Sequence, residues 1–141
     1  MTQPKPRAVT QMRLAPSLLR YLESLTKSAN EQCGLLIGRI DGEDAIIDEL
    51  RVMPNSAPTP ATSFEIDPGL RLKVQRQLRG TNRRVIGIYH THPQGTATPS
   101  KHDHAGACLE PGLVWLIAAQ AGIAAYIASA DGLAAIRLQS P

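Results

Sequence analysis

Apolar residues in this chain fall in short runs of strand length, separated by turn signals. Val85-Ile86-Gly87-Ile88-Tyr89 is one such run and reads as a buried strand. Residues 33–39 and 45–53 read as two more, joined by the hairpin pair Asp41-Gly42. The stretch from Leu113 to Ala128 approaches the length of a membrane span. Gln120 interrupts it and Ala121-Gly122 reads as a turn, so two strands are expected instead, Leu113–Ala119 and Ile123–Ala128. Asp131-Gly132 marks another turn before a last strand, Leu133–Leu138. Helical spacing is found elsewhere. Pro16 opens a helix expected to reach Ala29, with Leu18, Leu22 and Leu25 on one stripe. A second helix is expected over 68–79, and a third from 101 to about 109, stopped by Pro111-Gly112. Residues 54–62 hold Pro54, Pro58 and Pro60 and predict an irregular loop beside the site, followed by a short strand at 63–66. Residues 1–9, with Pro4 and Pro6, predict a loose arm, and residues 10–141 a single domain. Strands and helices in this order give an α/β fold, a sandwich around a central sheet.

Composition narrows the class. At 141 residues the chain has room for one domain with a real core, and 43% hydrophobic with 19% charged residues argues against disorder. Cys33 and Cys108 make no disulfide scaffold and no signal peptide opens the chain, so a reducing, cytoplasmic setting is expected. Cys33 reads as a small buried hydrophobe. The net charge is +3, and positive charge clusters at Arg71, Lys73, Arg76, Arg79, Arg83 and Arg84. No aromatic residues interleave with them, so there is no base-stacking platform and nucleic acid is not expected; nor is a membrane. A solvated helix face is the default reading, and a docking surface for an acidic protein the specific one.

The apolar run at 85–89 ends in His90-Thr91-His92-Pro93, and Ser100 and Asp103 follow. On a strand, positions i and i+2 share a face, so both imidazoles converge on one point. Pro93 cannot donate to a central ladder, which puts the strand end at the imidazoles. Two imidazoles and one carboxylate suit zinc, and three protein ligands leave a fourth tetrahedral position for water. Ser100 and Asp103 also fit a helix start, with Ser as N-cap and Asp at N3 in a variant capping box. Glu31, in Glu31-Gln32-Cys33-Gly34-Leu35-Leu36-Ile37-Gly38, has two readings as well. Either it shares a strand face with Cys33, Leu35 and Ile37, where a buried carboxylate needs a partner, or it lies in the turn before the strand and is solvated.

Glu31 in E-x-C-G-L-L-I-G, Y-H-T-H-P at 89–93 and S-x-x-D at 100–103 together resemble the JAMM/MPN+ zinc metalloproteases. Met53-Pro54-Asn55 and Ser63-Phe64-Glu65-Ile66-Asp67-Pro68 resemble the middle segment of that family, so the likeness covers roughly residues 12–138. It implies a JAMM/MPN-like (cytidine-deaminase-like) mixed β-sheet flanked by helices. It also implies zinc on His90, His92 and Asp103, Glu31 as general base and then acid, and a Ser100 hydroxyl that donates to the oxyanion. Ile88 and Thr91 depart from the deubiquitinase form, which bears on substrate preference and not on the metal. His102 and His104 are unusual neighbours of Asp103; on a helix they point about 100° to either side of it, which suits the rim better than the metal.

A compact chain with no long insertion resembles the prokaryotic members that act on ubiquitin-fold sulfur-carrier proteins. The resemblance therefore implies hydrolysis of a peptide or isopeptide bond near the C-terminal Gly-Gly of such a protein. The alternatives are a non-catalytic MPN-type scaffold and a zinc-binding interaction module, neither of which needs the full set of residues. Other zinc hydrolases fit less well. Gln94 stands where the H-x-H-x-D-H pattern requires aspartate, and the chain is far shorter than a TIM barrel.

Overall fold

The apolar runs pair into one mixed sheet. A computed structural model describes residues 8–140. Among these the chain order is β1 (Gln11–Arg13), α1 (Pro16–Leu25), β2 (Cys33–Asp41), β3 (Asp44–Met53), α2 (Pro68–Gln77), β4 (Arg84–His92), α3 (Lys101–Cys108), β5 (Val114–Ala119), β6 (Gly122–Ser129) and β7 (Gly132–Gln139). The expected arm lies outside the described residues except for Ala8 and Val9, and Val9 packs against the core. The apolar C-terminal stretch forms strands, and no helix among the described residues is long and apolar enough to cross a membrane.

The strands run in the order β1-β3-β2-β4-β5-β6-β7. β2 is antiparallel to both β3 and β4, whereas β4 and β5 are parallel, with α3 as the crossover between them. The expected mixed sheet with flanking helices is present, and its two edges are joined. β1 pairs in parallel with β3 on one side and β7 on the other, joining the two edges. That strand has three residues, too few to carry a period of two.

Two further boundaries differ from expectation. α1 stops at Leu25, short of Ala29, because the Thr26 hydroxyl donates to the Glu23 carbonyl and the chain turns. Residues 63–66 form no strand. The Asn55 side chain takes the place of a ladder there, donating to Ser63 O and accepting from the backbone N–H of Glu65.

Alternation along the strands divides the core in two. Leu36 and Tyr89 face the side covered by α1, with Met12, Leu14, Leu22 and Leu116. Leu35, Ile37 and Ile88 face the other side, where Val74 and Leu78 of the α2 region and Ala107 of α3 cover them. Each fully buried aliphatic side chain contributes about 1.5–3 kcal/mol, so both layers are needed to hold the sheet. The candidate residues lie on the second side, at the C-terminal end of β4. Gly34 permits that arrangement, because a side chain there would overlap the Arg51 carbonyl and the Tyr89 ring. Gly34→Ala is therefore expected to cost about 1–3 kcal/mol, the usual range for an overpacked core. Urea unfolding of the variant checks this, and an unchanged midpoint would contradict the packing described.

Candidate functional site

β4 ends at His92, immediately before Pro93, with His90 fully buried and His92 at the surface end of the same face. After the 93–99 loop, Ser100 caps α3. Its hydroxyl accepts the Asp103 N–H at 3.0 Å, and its own N–H donates to Asp103 Oδ2 at 2.9 Å, completing a reciprocal capping box. The Asp103 carboxylate is buried and at the same time faces both imidazoles. The helix-cap and ligand readings of Asp103 are thus compatible: one carboxylate can serve both.

His90 Nε2 and His92 Nε2 are 3.1 Å apart. Asp103 Oδ1 lies 3.2 Å from the first and Oδ2 3.2 Å from the second. Ligands at the usual zinc distances of about 2.0–2.1 Å would be separated by ~3.3 Å along a tetrahedral edge, so this donor set fits such an ion. Glu31 also joins the cluster, since one ligand atom each from Glu31, His90 and His92 lie within 4.8 Å of one another. Its Oε1, however, approaches His90 Nε2 only to 3.9 Å. Two carboxylates thus compete to complete the same pair of imidazoles, and Asp103 is the nearer. His92 Nδ1 is 2.8 Å from Thr96 O and carries a proton there; Nε2 is protonated too while the ring donates to Asp103, and only on losing that proton would it offer a lone pair to an ion.

The two carboxylates differ in charge state. Burial pushes the Asp103 pKa up, but the hydrogen bonds from His90 and His92 and the Ser100 N–H outweigh it and hold the group well below the usual carboxylate range. Glu31 has no such donors. Burial pushes its pKa up to about 7, reinforced by the Asp103 charge and partly offset by His92. Burial lowers the pKa of His90 and favours the neutral ring, whereas the hydrogen bond to Asp103 raises that of His92.

The question over Glu31 is now answered. It precedes β2, as the second reading held, but it is 6% exposed, not solvated. Its N–H donates to Pro60 O at 2.7 Å, and its carbonyl accepts from Asn55 Nδ2 at 2.9 Å, so the proline loop fixes its backbone. Thr91 belongs to the same anchorage. It is fully buried between the two imidazole positions and accepts the Gln32 N–H at 2.9 Å, so the departure at this position bears on holding the Glu31 segment and not on substrate. Ile88, by contrast, lines a groove and can touch a bound chain.

Local patterns did not reveal Asn55, Phe64, Trp115 or Tyr126. Phe64 stacks on the His90 ring with centroids 4.2 Å apart, and Trp115 meets both rings edge-on. Asn55 and Phe64 lie in the stretches that resemble the family, but their contacts with Glu31 and His90 leave no local signal. Two depressions adjoin the cluster. A polar cleft of about 440 Å³ exposes Glu31, Thr62, His92 and Ser100. A groove of about 620 Å³ runs from Asp103 between α2 and α3, walled by Ile66, Leu72, Ile88, Leu109 and Trp115. His102 stands exposed at the rim of that groove. His104 faces away from the cluster, accepting the Leu133 N–H at 3.0 Å. Of the basic cluster, Arg71 is bound to Glu110, and Arg83 to Asp48 and Glu49.

The chain is similar in sequence and in fold to known proteins. The family model for prokaryotic homologs of the JAB domain matches residues 17–130. A desampylase of Pyrococcus furiosus is 32% identical over 105 residues, covering 74% of this chain and 71% of the relative. A probable TtuB-protein conjugate cleaving protease of Thermus thermophilus is 35% identical over 79 residues, covering 56% of this chain and only 50% of the relative. This chain thus aligns with half the length of the Thermus protein. A solution structure of a Desulfitobacterium hafniense protein superposes with a TM-score of 0.80 at 26% identity, covering 92% of each chain.

The raised Glu31 pKa has a consequence for stability. A carboxyl group that is about 4.5 unfolded and about 7 folded favours folding only while protonated. Its contribution is complete below about 4.5 and is lost as the pH rises through 7. At 1.36 kcal/mol per pKa unit the loss is about 3 kcal/mol. Urea unfolding of the chelated protein should therefore show wild type losing stability relative to Glu31→Gln between these pH values. A pH-independent difference would contradict the burial of an isolated carboxyl.

Proposed function

Because the chain belongs to the family of prokaryotic homologs of the JAB domain, we propose that it is a zinc-dependent peptidase. Its substrate would be a peptide or isopeptide bond near the C-terminal Gly-Gly of a ubiquitin-fold, sulfur-carrier-like protein. The observation that carries this reading is the pair of unlike carboxylates at one cluster: Asp103 ionised at 3.2 Å from both imidazoles, Glu31 further out with a pKa near 7. A scaffold or a zinc-binding module has no use for the second. The likeness to a conjugate-cleaving protease of Thermus and a desampylase of Pyrococcus supports the choice of a protein conjugate as substrate.

His90, His92 and Asp103 would hold the ion. Bound there, zinc would act as a Lewis acid, polarising the scissile carbonyl and lowering the pKa of a water molecule to ~7. Glu31 accepts the proton of the attacking water, a task suited to a base whose pKa lies near the working pH, and delivers it to the departing amine. The Ser100 oxygen already accepts the Asp103 N–H, which leaves its hydroxyl proton free to stabilise the carbonyl oxygen as it gains charge. Glu31 and Ser100 both line the polar cleft, so the leaving amine departs there. The acyl side of the substrate then lies along the apolar groove beyond Asp103, with Ile88 and Trp115 in its wall. Lys73, Arg76 and Arg79, on and just after α2, provide the positive face for an acidic protein surface. A reducing, cytoplasmic setting suits the exposed free thiol of Cys108.

The test is zinc content and cleavage measured together on a ubiquitin-fold carrier extended beyond Gly-Gly and on one joined to a lysine side chain. Glu31→Gln should retain one zinc per chain and lose 10²-fold or more in turnover, in line with removal of a general base. His92→Ala should lose both zinc and turnover. Normal turnover by the glutamine variant would remove Glu31 from the reaction.

A further inference from the structure

Two hydrogen bonds tie the segment bearing His92, Ser100 and Asp103 to the β6–β7 hairpin, and neither involves a candidate ligand. The first comes from Tyr126 on β6, whose phenolic hydroxyl donates to Ala97 O at 2.7 Å. Ala97 lies in the 93–99 loop, which has no helix or strand of its own. The adjacent carbonyl, that of Thr96, is the one bonded to His92 Nδ1 at 2.8 Å. Tyr126 therefore holds the peptide next to the one that orients the imidazole. It also packs in the core layer that contains Trp115, so its ring has a place that does not depend on the hydroxyl.

The second bond involves His104 on α3, whose Nδ1 accepts the N–H of Leu133 at 3.0 Å. The hairpin backbone is shaped around this ring. Gly132 has φ +109°, and a Cβ at that residue would stand 2.7 Å from His104 Nδ1. Both the backbone conformation and the contact therefore require glycine. His104 directly follows Asp103, so the bond fixes the helical turn that aims the carboxylate.

We propose that Tyr126 and His104 are positioning residues for the metal centre, and that the β6–β7 hairpin, itself without a ligand, sets the register of the loop and of α3 against β4. This rests on the zinc reading above. Groups that orient metal ligands from outside typically affect metal affinity by 10–100-fold, although they never touch the ion. The hairpin acts on two ligands through separate bonds: on His92 through Ala97 and Thr96, and on Asp103 through its neighbour in α3.

The test compares the full chain with Tyr126→Phe, His104→Ala and His104→Asn. Zinc dissociation constants are measured by competition with a chromophoric chelator, beside the thermal midpoints of the zinc-free proteins and amide hydrogen exchange across residues 93–99. Tyr126→Phe and His104→Ala should each bind zinc about tenfold more weakly or worse, with zinc-free midpoints close to wild type. Exchange in the loop should quicken in Tyr126→Phe. His104→Asn, whose side-chain oxygen can take the place of Nδ1, should recover most of the affinity. Equal affinity in all four proteins would overturn the inference. So would losses that merely track the zinc-free midpoints without rescue by asparagine. A wild-type chain that takes up no zinc would remove the zinc reading and this inference with it, whereas zinc-binding variants that match wild type would remove the inference alone.

Discussion

The Asp103 carboxylate is the point on which the site depends. It is 3% exposed, a burial that no isolated carboxylate tolerates. The surroundings supply what water would have given: the Ser100 N–H on Oδ2, His92 beside the same oxygen, and His90 beside Oδ1. Those bonds keep it ionised and also start α3 at a fixed place against the end of β4. Helix register, loop closure and imidazole convergence thus meet in one side chain, which is why a capping motif and a donor set coincide here.

Against that fixed charge, Glu31 is distinguished by what it lacks. Both carboxylates are buried within a few ångströms of the same imidazoles. One is surrounded by donors and the other is not, and their pKa values separate accordingly. A group pushed toward neutrality can take and return a proton near pH 7, and one held ionised can bind a cation. The backbone makes this difference durable. Pro60 and Asn55 hold Glu31 from one side, while Thr91 secures its neighbour Gln32 from the other.

Much of this was legible in the residues. Runs of strand length gave β2 to β7, and the parity of a strand placed His90 and His92 on one face before any distance was known. Ser100 and Asp103 announced a helix start by their spacing. The remainder depended on long-range bonds that leave no local period. Three residues of β1 cannot display alternation, yet they join the edges of the sheet. The 63–66 segment, expected as a strand, is held by the Asn55 amide in place of a partner strand. Glu31 could not be assigned between strand and turn, because its partners, Pro60 and Asn55, are distant in sequence. His104 was visible as an oddity of the motif, but only the Leu133 N–H and Gly132 give it a purpose.

The division of work between the two carboxylates is the central claim, and a crystal structure of the zinc-loaded protein, with anomalous diffraction recorded across the zinc edge, tests it most directly. The account requires a single ion about 2.0–2.2 Å from His90 Nε2, His92 Nε2 and an Asp103 oxygen, with Glu31 outside the coordination sphere. An ion bound by Glu31 in place of Asp103 would contradict it.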